Sequence, residues 1–229
     1  MRAAIIAAKC LFIICLPVLL LTASVSLAVN SQWLYEYGFD EYGVSRTTGL
    51  DRAELSKAAA GLIDYFNSGK ETISITVEKD GAPFELFNER EVAHLRDVKG
   101  LFRLVYRVLL GSLVYALAYL GLSLFWWRDR RWLAGGLVGG GGLTIVLMLA
   151  LGIGTLLDFN NLFLQFHIIS FANDLWMLDP TRDYLIRLFP RGFWFDAALF
   201  CVLVSIIGAV ISGGVGVWYL VSRRGDITA

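Results

Sequence analysis

Residues 197–222 read AALFCVLVSIIGAVISGGVGVWYLVS, a run of 26 residues without one Asp, Glu, Lys, Arg or His. A helix needs about 20 mostly apolar residues to cross a bilayer, so this stretch is long enough to do so. Three other stretches have the same property: Cys10–Val29, Val108–Trp127 and Trp132–Leu157. The sequence therefore predicts a mostly α membrane protein with four transmembrane helices, and we call these four charge-free stretches the spans.

The composition of the whole chain supports this prediction. Of its 229 residues, 57% are hydrophobic and 17% are charged, and the mean hydropathy is +0.63. A soluble domain is typically about 45–50% apolar and about 25% charged. The composition excludes a disordered chain, a coiled coil and a disulfide-stapled secreted domain. Because Cys10, Cys15 and Cys201 all fall within the spans, the loops offer no Cys-rich zinc site and no thiol nucleophile.

The first span has two interpretations. Arg2 and Lys9, the apolar stretch after them and the sequence Ser26-Leu27-Ala28 also resemble a cleaved signal peptide. The apolar core of a signal peptide is usually about 7–15 residues long, which is shorter than Cys10–Val29. We therefore interpret the segment as a transmembrane helix, while cleavage stays open.

Basic residues in short loops predict the orientation, because they favour the cytoplasmic side. With a cytoplasmic N-terminus, the inner segments hold 7 basic and 2 acidic residues, against 11 basic and 18 acidic in residues 30–100 and 158–196. The inner charges are Arg2, Lys9, Arg128, Asp129, Arg130, Arg131, Arg223, Arg224 and Asp226. We therefore expect both termini inside and both larger loops outside.

These boundaries divide the chain into five predicted parts. They are residues 1–29 (span 1), 30–100 (an extracytoplasmic α+β domain), 101–157 (spans 2 and 3), 158–196 (an extracytoplasmic amphipathic loop) and 197–229 (span 4 and a cytoplasmic tail). The glycines of spans 3 and 4 form small-xxx-small pairs such as Gly136 and Gly140, which indicate close helix packing rather than a phosphate-binding loop.

The domain at 30–100 is predicted to contain a helix, a β-hairpin and a second helix. Asp51 and Glu54 have the spacing of a capping box, and Asn67-Ser68-Gly69 ends the helix that this box starts. The alternating stretch Thr72–Val77, followed by the turn Lys79-Asp80-Gly81, predicts the hairpin.

The second helix starts at another capping box, made by Asn88 and Glu91, and is expected to continue into span 2. It carries His94, with Asp97 one turn later. Its basic residues step by three or four positions along one face: Arg96, Lys99, Arg103 and Arg107. This stripe is typical of cations that reach the membrane interface, or it is an anchor for phosphate headgroups or for the carbonyls of an acylated substrate.

The loop at 158–196 is very apolar, yet His167, Ser170 and Asp174 share one helical face at i, i+3 and i+7. Asp179 followed by Pro180 predicts the start of a short helix that ends near Phe189. The last span is then expected to begin near residue 196. We interpret this loop as an amphipathic helical hairpin, partly re-entrant, on the outer leaflet.

The two histidines of the chain, His94 and His167, fall in these two outer segments, each with a carboxylate nearby. They are candidates for general acid and base catalysis of an acyl or phosphoryl transfer. Equally, they are candidates for structural hydrogen bonds in a non-catalytic scaffold. A metal site with Asp97 or Asp174 is less favoured, since no HExxH spacing is present.

Two stretches resemble the signature sequences of a known family. Residues 87–102 read FNEREVAHLRDVKGLF, and residues 166–180 read FHIISFANDLWMLDP. Both resemble the Lit family, bacterial lipoprotein intramolecular transacylases that are integral membrane proteins with four spans. The resemblance covers about half of the chain and implies a multi-pass protein of the bacterial cell membrane.

The resemblance implies an acyl transfer within one lipoprotein substrate. The acyl chain leaves the glycerol sn-2 ester of a diacylglyceryl lipoprotein and moves to the α-amine of its N-terminal Cys. By analogy, His94 and His167 occupy the positions of the family's catalytic histidines, one acting as base and the other as acid or oxyanion donor. No cofactor and no nucleic acid are implied; the expected partners are the lipoprotein and membrane lipids.

The remaining site residues are hypotheses built on this reaction. Asp97 and Asp174 would orient the imidazoles, and Asn173, Trp176 or Arg96 would stabilise the oxyanion. Arg103, Arg107 and Ser170 are candidates for substrate binding, and Ser170 is also a possible covalent nucleophile. The alternative is a non-catalytic membrane scaffold or a subunit that binds a partner protein.

Overall fold

The structure is a computed structural model that describes residues 2–223. Arg224 and Asp226, which the sequence analysis assigned to the cytoplasmic tail, lie outside the described residues. The helices are α1 (Arg2–Val29), α2 (Gln32–Glu41), α3 (Val44–Thr48), α4 (Arg52–Asn67), α5 (Glu89–Gly121), α6 (Arg130–Ser170), α7 (Tyr184–Leu188) and α8 (Arg191–Ser222). Two strands, β1 (Thr76–Lys79) and β2 (Ala82–Glu85), form an antiparallel hairpin.

The predicted four-helix membrane architecture is confirmed. Among the described residues, four helices, α1, α5, α6 and α8, are long and apolar enough to cross a membrane. Helices α1, α6 and α8 each contain one span, and α5 contains the second span as far as Gly121. A π-helical turn, Leu122–Trp126, extends α5. Large apolar side chains of the spans are exposed, among them Leu110 at 62%, Leu117 at 58% and Ile211 at 62%. Such surfaces suit contact with lipid tails.

The chain divides into two compact units. Among the described residues, the span unit consists of residues 2–26, 105–156 and 199–223, and the loop unit consists of Leu27–Leu104 and Leu157–Ala198. The two segments of the loop unit lie between the first and second spans and between the third and fourth spans.

Glycines let the helices of the span unit approach closely, as their spacing predicted. A Cβ at Gly136 would lie 3.1 Å from the Phe12 ring of α1, and one at Gly140 would lie 2.8 Å from Leu16. On another face of α6, a Cβ at Gly141 would lie 2.8 Å from the carbonyl oxygen of Ala209 in α8. Here the backbones themselves touch, so α6 packs against α8 only because Gly141 has no side chain.

Helix α4 of the loop unit follows the sequence prediction. The Asp51 side chain accepts a hydrogen bond from the backbone N–H of Glu54 at 2.9 Å, which caps the helix. One apolar face of the helix is buried: Leu55, Ala59, Leu62 and Phe66 are at most 6% exposed. Helix α4 packs against α2 and β1.

The hairpin is present, but β1 begins four residues later than predicted. Asp80 and Gly81 both have positive φ, 54° and 79°, and make the two-residue turn. This turn pairs Lys79 with Ala82, and the ladder ends where Thr76 meets Glu85. Residues 72–75 lie before this ladder, and the Ile75 carbonyl still accepts from the Leu86 N–H at 2.9 Å. Their alternation matches the burial, since Ile73 and Ile75 are buried.

Three features differ from the sequence prediction. Helices α2 and α3 had no sequence signal in the analysis above. Helix α6 runs past the third span to Ser170, with a kink at Asp158 (φ −153°, ψ 74°), whose side chain accepts from the Asn161 N–H and caps the second part. The loop thus carries an extension of α6 in place of a separate hairpin helix. Helix α8 begins at Arg191, earlier than expected.

The short helix of the second loop also starts later than predicted. Asp179 does not begin it, because its carboxylate accepts from both the N–H and the hydroxyl of Thr181, and its carbonyl accepts from the Asp183 N–H at 2.8 Å. These bonds close one isolated turn. Helix α7 then begins at Tyr184 and ends at Leu188.

Replacing Gly141 with alanine tests the close contact between α6 and α8. The new Cβ would meet the carbonyl oxygen of Ala209 at 2.8 Å, and we expect a loss of about 1–3 kcal/mol in the free energy of unfolding. Thermal unfolding of the purified protein in detergent measures it. The matched control is Gly142→Ala, because nothing lies within 4 Å of its Cβ position. Equal melting temperatures for the two variants would contradict the packing.

Candidate active site

The loop unit contains a cavity of about 280 Å³ with mainly apolar walls. Its walls come from the end of α1, α2, α4, the start of α5, the end of α6, the short helix α7 and the start of α8. Leu62, Phe66 and Phe102 are among its apolar side chains, and both histidines line it. Two segments that are about 70 residues apart in sequence therefore contribute one imidazole each.

His94 lies on the second turn of α5, and its side chain is buried, with 6% exposed. The Phe171 ring packs edge-on against it, with 5.1 Å between ring centroids. Nδ1 is buried and has no hydrogen-bond partner among the described residues. Burial, and to a smaller extent the His167 ring, lowers the pKa of His94 to about 4 against an opposing effect of Asp97. The imidazole is therefore neutral near pH 7.

His167 lies on the extension of α6, and its Nδ1 is 2.8 Å from the carbonyl oxygen of Phe163, one turn earlier. A carbonyl can only accept, so Nδ1 donates and carries the proton of the neutral ring. Nε2 is then left with the lone pair. Burial lowers the pKa of His167, and the bond to Phe163 opposes this shift. The Trp176 ring lies 5.0 Å from the imidazole and limits its movement.

The two imidazole rings face each other across part of the cavity. Their centroids are 6.4 Å apart, and their planes are inclined by 26°. Among residues 2–223, no group of three or more His, Cys, Asp or Glu side chains is arranged to hold a metal ion. His167 has a ring nitrogen that can accept a proton, and His94 is a second neutral ring that can donate an N–H. Acid–base catalysis requires these two kinds of group.

A buried carboxylate connects the start of α5 to α7, which forms another wall of the cavity. Glu91, 1% exposed, accepts from the Asn88 N–H at 2.9 Å, as the capping box predicted. Its other oxygen accepts from the Leu185 N–H at 2.6 Å. Burial raises the pKa of Glu91, and these two backbone bonds oppose the shift. We call this set of contacts the Glu91 clip.

Asn88 extends the clip to a second buried acid. Its side-chain amide donates to Asp183 at 2.8 Å, and the other Asp183 oxygen accepts from the Asp179 N–H at 2.7 Å. Asp183 is fully buried. The sequence located the capping box, but nothing in its spacing indicated that the same box would hold the second loop.

The sequence analysis proposed that Asp97, Asn173 and Asp174 orient the imidazoles or stabilise the oxyanion. In the structure, their hydrogen bonds connect the second loop to α5. The Asn173 amide donates to Asp97 at 2.9 Å, and its oxygen accepts from the Leu175 N–H. The backbone carbonyl of Asp174 accepts from Arg90, while its carboxylate is exposed. Within the described chain, neither Asp97 nor Asp174 hydrogen bonds to a histidine.

The other predicted site residues are spread more widely. Trp176 lines the cavity beside His167. The remaining four, Arg96, Arg103, Arg107 and Ser170, do not line it, and the three arginines are exposed. The predicted basic stripe is interrupted, because Lys99 is only 2% exposed, donates to the Lys70 carbonyl at 2.6 Å and lies over the Tyr65 ring.

Sequence reasoning missed two groups at the site. The Phe163 carbonyl lies one turn before His167, so the i, i+4 spacing was visible, but backbone acceptors leave no mark in a sequence. Arg191 lines the cavity from the first turn of α8. It follows Pro190 in a stretch to which the sequence analysis assigned no site residue.

Comparison with known proteins identifies a family. The family model described as lipoprotein intramolecular transacylase Lit matches residues 10–194. An uncharacterized protein of Aquifex aeolicus (strain VF5) is 26% identical over 208 residues, which is 88% of this chain and 89% of that protein.

Solved structures share the fold. The membrane integral lipoprotein intramolecular transacylase Lit from Bacillus cereus superimposes with a TM-score of 0.84 at 20% identity, covering 98% of this chain and 99% of that one. A variant of the same enzyme with a histidine-to-arginine substitution gives a TM-score of 0.79 at 18% identity, covering 98% and 96%.

Removing the Glu91 side chain tests the clip. In a Glu91→Ala variant, the buried Leu185 N–H and the partly buried Asn88 N–H lose their acceptor, and we expect the free energy of unfolding to fall by about 2–4 kcal/mol. Thermal unfolding in detergent is the measurement. Glu89→Ala is the matched control on the same turn, because Glu89 is exposed and its loss costs only about 0.3–1 kcal/mol. A Glu91→Ala protein as stable as this control would disprove the clip.

Proposed function

The chain belongs to the Lit family of lipoprotein intramolecular transacylases, which are acyltransferases, and on this premise we propose that its two histidines transfer an acyl chain within a diacylglyceryl lipoprotein. The substrate is the lipidated N-terminal Cys, whose α-amine lies close to the glycerol sn-2 ester. The product is an N-acyl, S-monoacylglyceryl lipoprotein. The observation that carries this proposal is the position of both imidazoles on one apolar cavity, 6.4 Å apart.

His167 is the general base. An α-amine has a pKa of about 7.7–8.0 in model peptides and must lose a proton when it attacks the ester carbonyl. Because Nδ1 of His167 donates to the Phe163 carbonyl, Nε2 carries the lone pair that takes this proton. The same carbonyl then stabilises the imidazolium, since its bond to Nδ1–H strengthens when the ring is charged.

His94 stabilises the oxyanion. Its ring is neutral near pH 7, because burial lowers its pKa to about 4, so it is a poor base but keeps one N–H to donate. When the amine nitrogen bonds to the carbonyl carbon, the carbonyl oxygen becomes an oxyanion and accepts this hydrogen bond. The C–O bond to the glycerol then breaks, and the leaving alkoxide takes the proton from Nε2–H of His167. Both rings return to their starting state, and an amide replaces the ester.

Proximity supplies much of the acceleration. The amine and the ester belong to one molecule, and holding them together can contribute up to about 7–11 kcal/mol. An apolar cavity also favours binding of acyl chains and excludes water, which would hydrolyse the ester.

Direct transfer is favoured over an acyl-enzyme. Ser170, the candidate nucleophile, does not line the cavity. Trp176 is the second candidate oxyanion donor, because its indole lies beside His167 and its N–H is a donor. For Asp97, Asn173 and Asp174 we propose a supporting role, in which they hold the segment that carries Trp176. Arg96, Arg103 and Arg107 are proposed to contact headgroups near the second span.

We also propose that the loop unit lies on the extracytoplasmic side. Each of its segments connects an odd span to the following even span, so both emerge on the same side of the membrane. The turn Arg128–Arg131 holds three arginines and joins spans 2 and 3, which favours the cytoplasm for it.

Histidine substitutions test the catalytic assignment. We expect His167→Ala to slow transfer by about 10²–10⁴-fold, the usual contribution of a general base, and His94→Ala by about 10²–10³-fold, through loss of the oxyanion donor. The protein is expressed in a host that makes only diacylglyceryl lipoproteins. Mass spectrometry of a lipoprotein N-terminus then measures the N-acyl, S-monoacylglyceryl product.

Two further variants control this experiment. Gln165→Ala changes an exposed residue on the same helix and should retain full activity. Ser170→Ala should also remain active if no acyl-enzyme forms. Wild-type rates for both histidine variants would refute the assignment, and an inactive Ser170→Ala with intact folding would favour a covalent route.

Labelling of single cysteines tests the orientation. Glu71→Cys lies in the loop unit and Arg130→Cys in the turn between spans 2 and 3, and both positions are exposed. In intact cells, an impermeant maleimide should label Glu71→Cys and should reach Arg130→Cys only after permeabilisation. The wild-type protein is the background control, since its three cysteines fall in the spans. The opposite pattern would reverse the proposed topology.

A further inference from the structure

In the described part of the chain, Arg191 is the only lysine or arginine that lines the cavity. It is the first residue of α8, and its guanidinium makes no hydrogen bond or ion pair with any described residue. By contrast, Arg187, four residues earlier, stacks on Tyr184 at 3.9 Å and donates to the Asp183 carbonyl. No contact within the described chain therefore gives the Arg191 guanidinium a structural role.

The position of Arg191 marks the mouth of the cavity. Of the lining residues, Arg191 and Trp194 are exposed, and the rest are buried or half-buried. Both lie on the first turn of α8, six and three residues before the fourth span begins at Ala197. An arginine commonly lays its apolar stem along a cavity wall and keeps its charged head in water. The guanidinium is thus held where the cavity opens.

The chemistry of the proposed substrate indicates which of its groups lies next to the Arg191 guanidinium. In the proposed reaction, the acyl chains need the apolar interior and the reacting ester needs the buried imidazoles. The polypeptide after the lipidated Cys is water-soluble, so it must leave through the mouth. Its first backbone carbonyls are acceptors that every lipoprotein has, whatever its sequence, and a guanidinium offers five N–H donors for them.

We propose that Arg191 is a substrate-positioning residue that binds the backbone carbonyl oxygens of the residues directly after the lipidated Cys. This inference rests on the transacylase function proposed above. It makes the enzyme selective for a lipidated peptide over a lipidated amino acid, while leaving it indifferent to the peptide sequence. Binding here fixes the direction of the chain and so holds the α-amine toward His167.

Two synthetic substrates separate this role from catalysis. One is S-diacylglyceryl-cysteine amide, and the other is an S-diacylglyceryl-cysteinyl hexapeptide without charged side chains, both in detergent micelles. For Arg191→Gln we expect KM for the lipopeptide to rise about tenfold, as for loss of a charge-assisted hydrogen bond, with kcat unchanged. KM for the amide should stay within about twofold of the wild-type value. Arg191→Lys, which keeps the charge, should restore part of the lipopeptide affinity.

Arg52→Gln is the matched control. It removes one arginine from the same unit, and its ion pair with Asp40 is solvent-exposed, so both kinetic constants should stay at wild-type values for both substrates. Unfolding temperatures in detergent confirm that each variant is folded.

Each other outcome overturns the inference. If Arg191→Gln raises KM equally for both substrates, or for neither, Arg191 does not bind the peptide. If kcat falls for both while KM is constant, Arg191 stabilises the reacting oxyanion instead. If the wild-type protein transfers the acyl chain in neither substrate, the transacylase proposal fails, and this inference fails with it. Activity of the wild-type protein on both substrates supports the transacylase proposal independently of Arg191.

Discussion

The site depends on one buried carboxylate at the start of α5. Glu91 accepts from the backbone at Asn88, which fixes where the helix begins, and from Leu185, which fixes α7. His94 follows three residues later, so the helix start sets its position as well. A buried backbone N–H that loses its partner costs about 1–3 kcal/mol. The Glu91 side chain therefore positions the start of α5, the cavity wall formed by α7 and, through the helix, the His94 imidazole.

Two chemically identical side chains have different properties in this apolar cavity. Both imidazoles are neutral because burial disfavours their charged forms. They differ in their partners: His167 donates to a carbonyl and can hold a second proton, whereas Nδ1 of His94 has no partner among the described residues. This asymmetry is the basis of the proposed roles of the two rings, with His167 as the base and His94 as the hydrogen-bond donor.

The sequence predicted those parts of the structure that arise from local periodicity. Four spans, two capping boxes and the Asp80-Gly81 turn follow from rules within a few residues, and the histidines were found because the chain has only two. Contacts between distant segments were not predictable, because no spacing joins Glu91 to Leu185 or Asp97 to Asn173. Lys99 shows the same limit: its helical periodicity placed it with exposed arginines, but its burial depends on Lys70 and Tyr65 in another segment.

The group that fixes the tautomer of His167 belongs to the main chain. Any residue at position 163 that keeps the helix intact would present the same carbonyl oxygen. Substitutions at this position therefore do not change which nitrogen of His167 carries the proton. A scan that exchanges side chains one at a time would pass over this group entirely. Only an altered backbone, such as an ester linkage that weakens the carbonyl as an acceptor, would expose how strongly the enzyme relies on it.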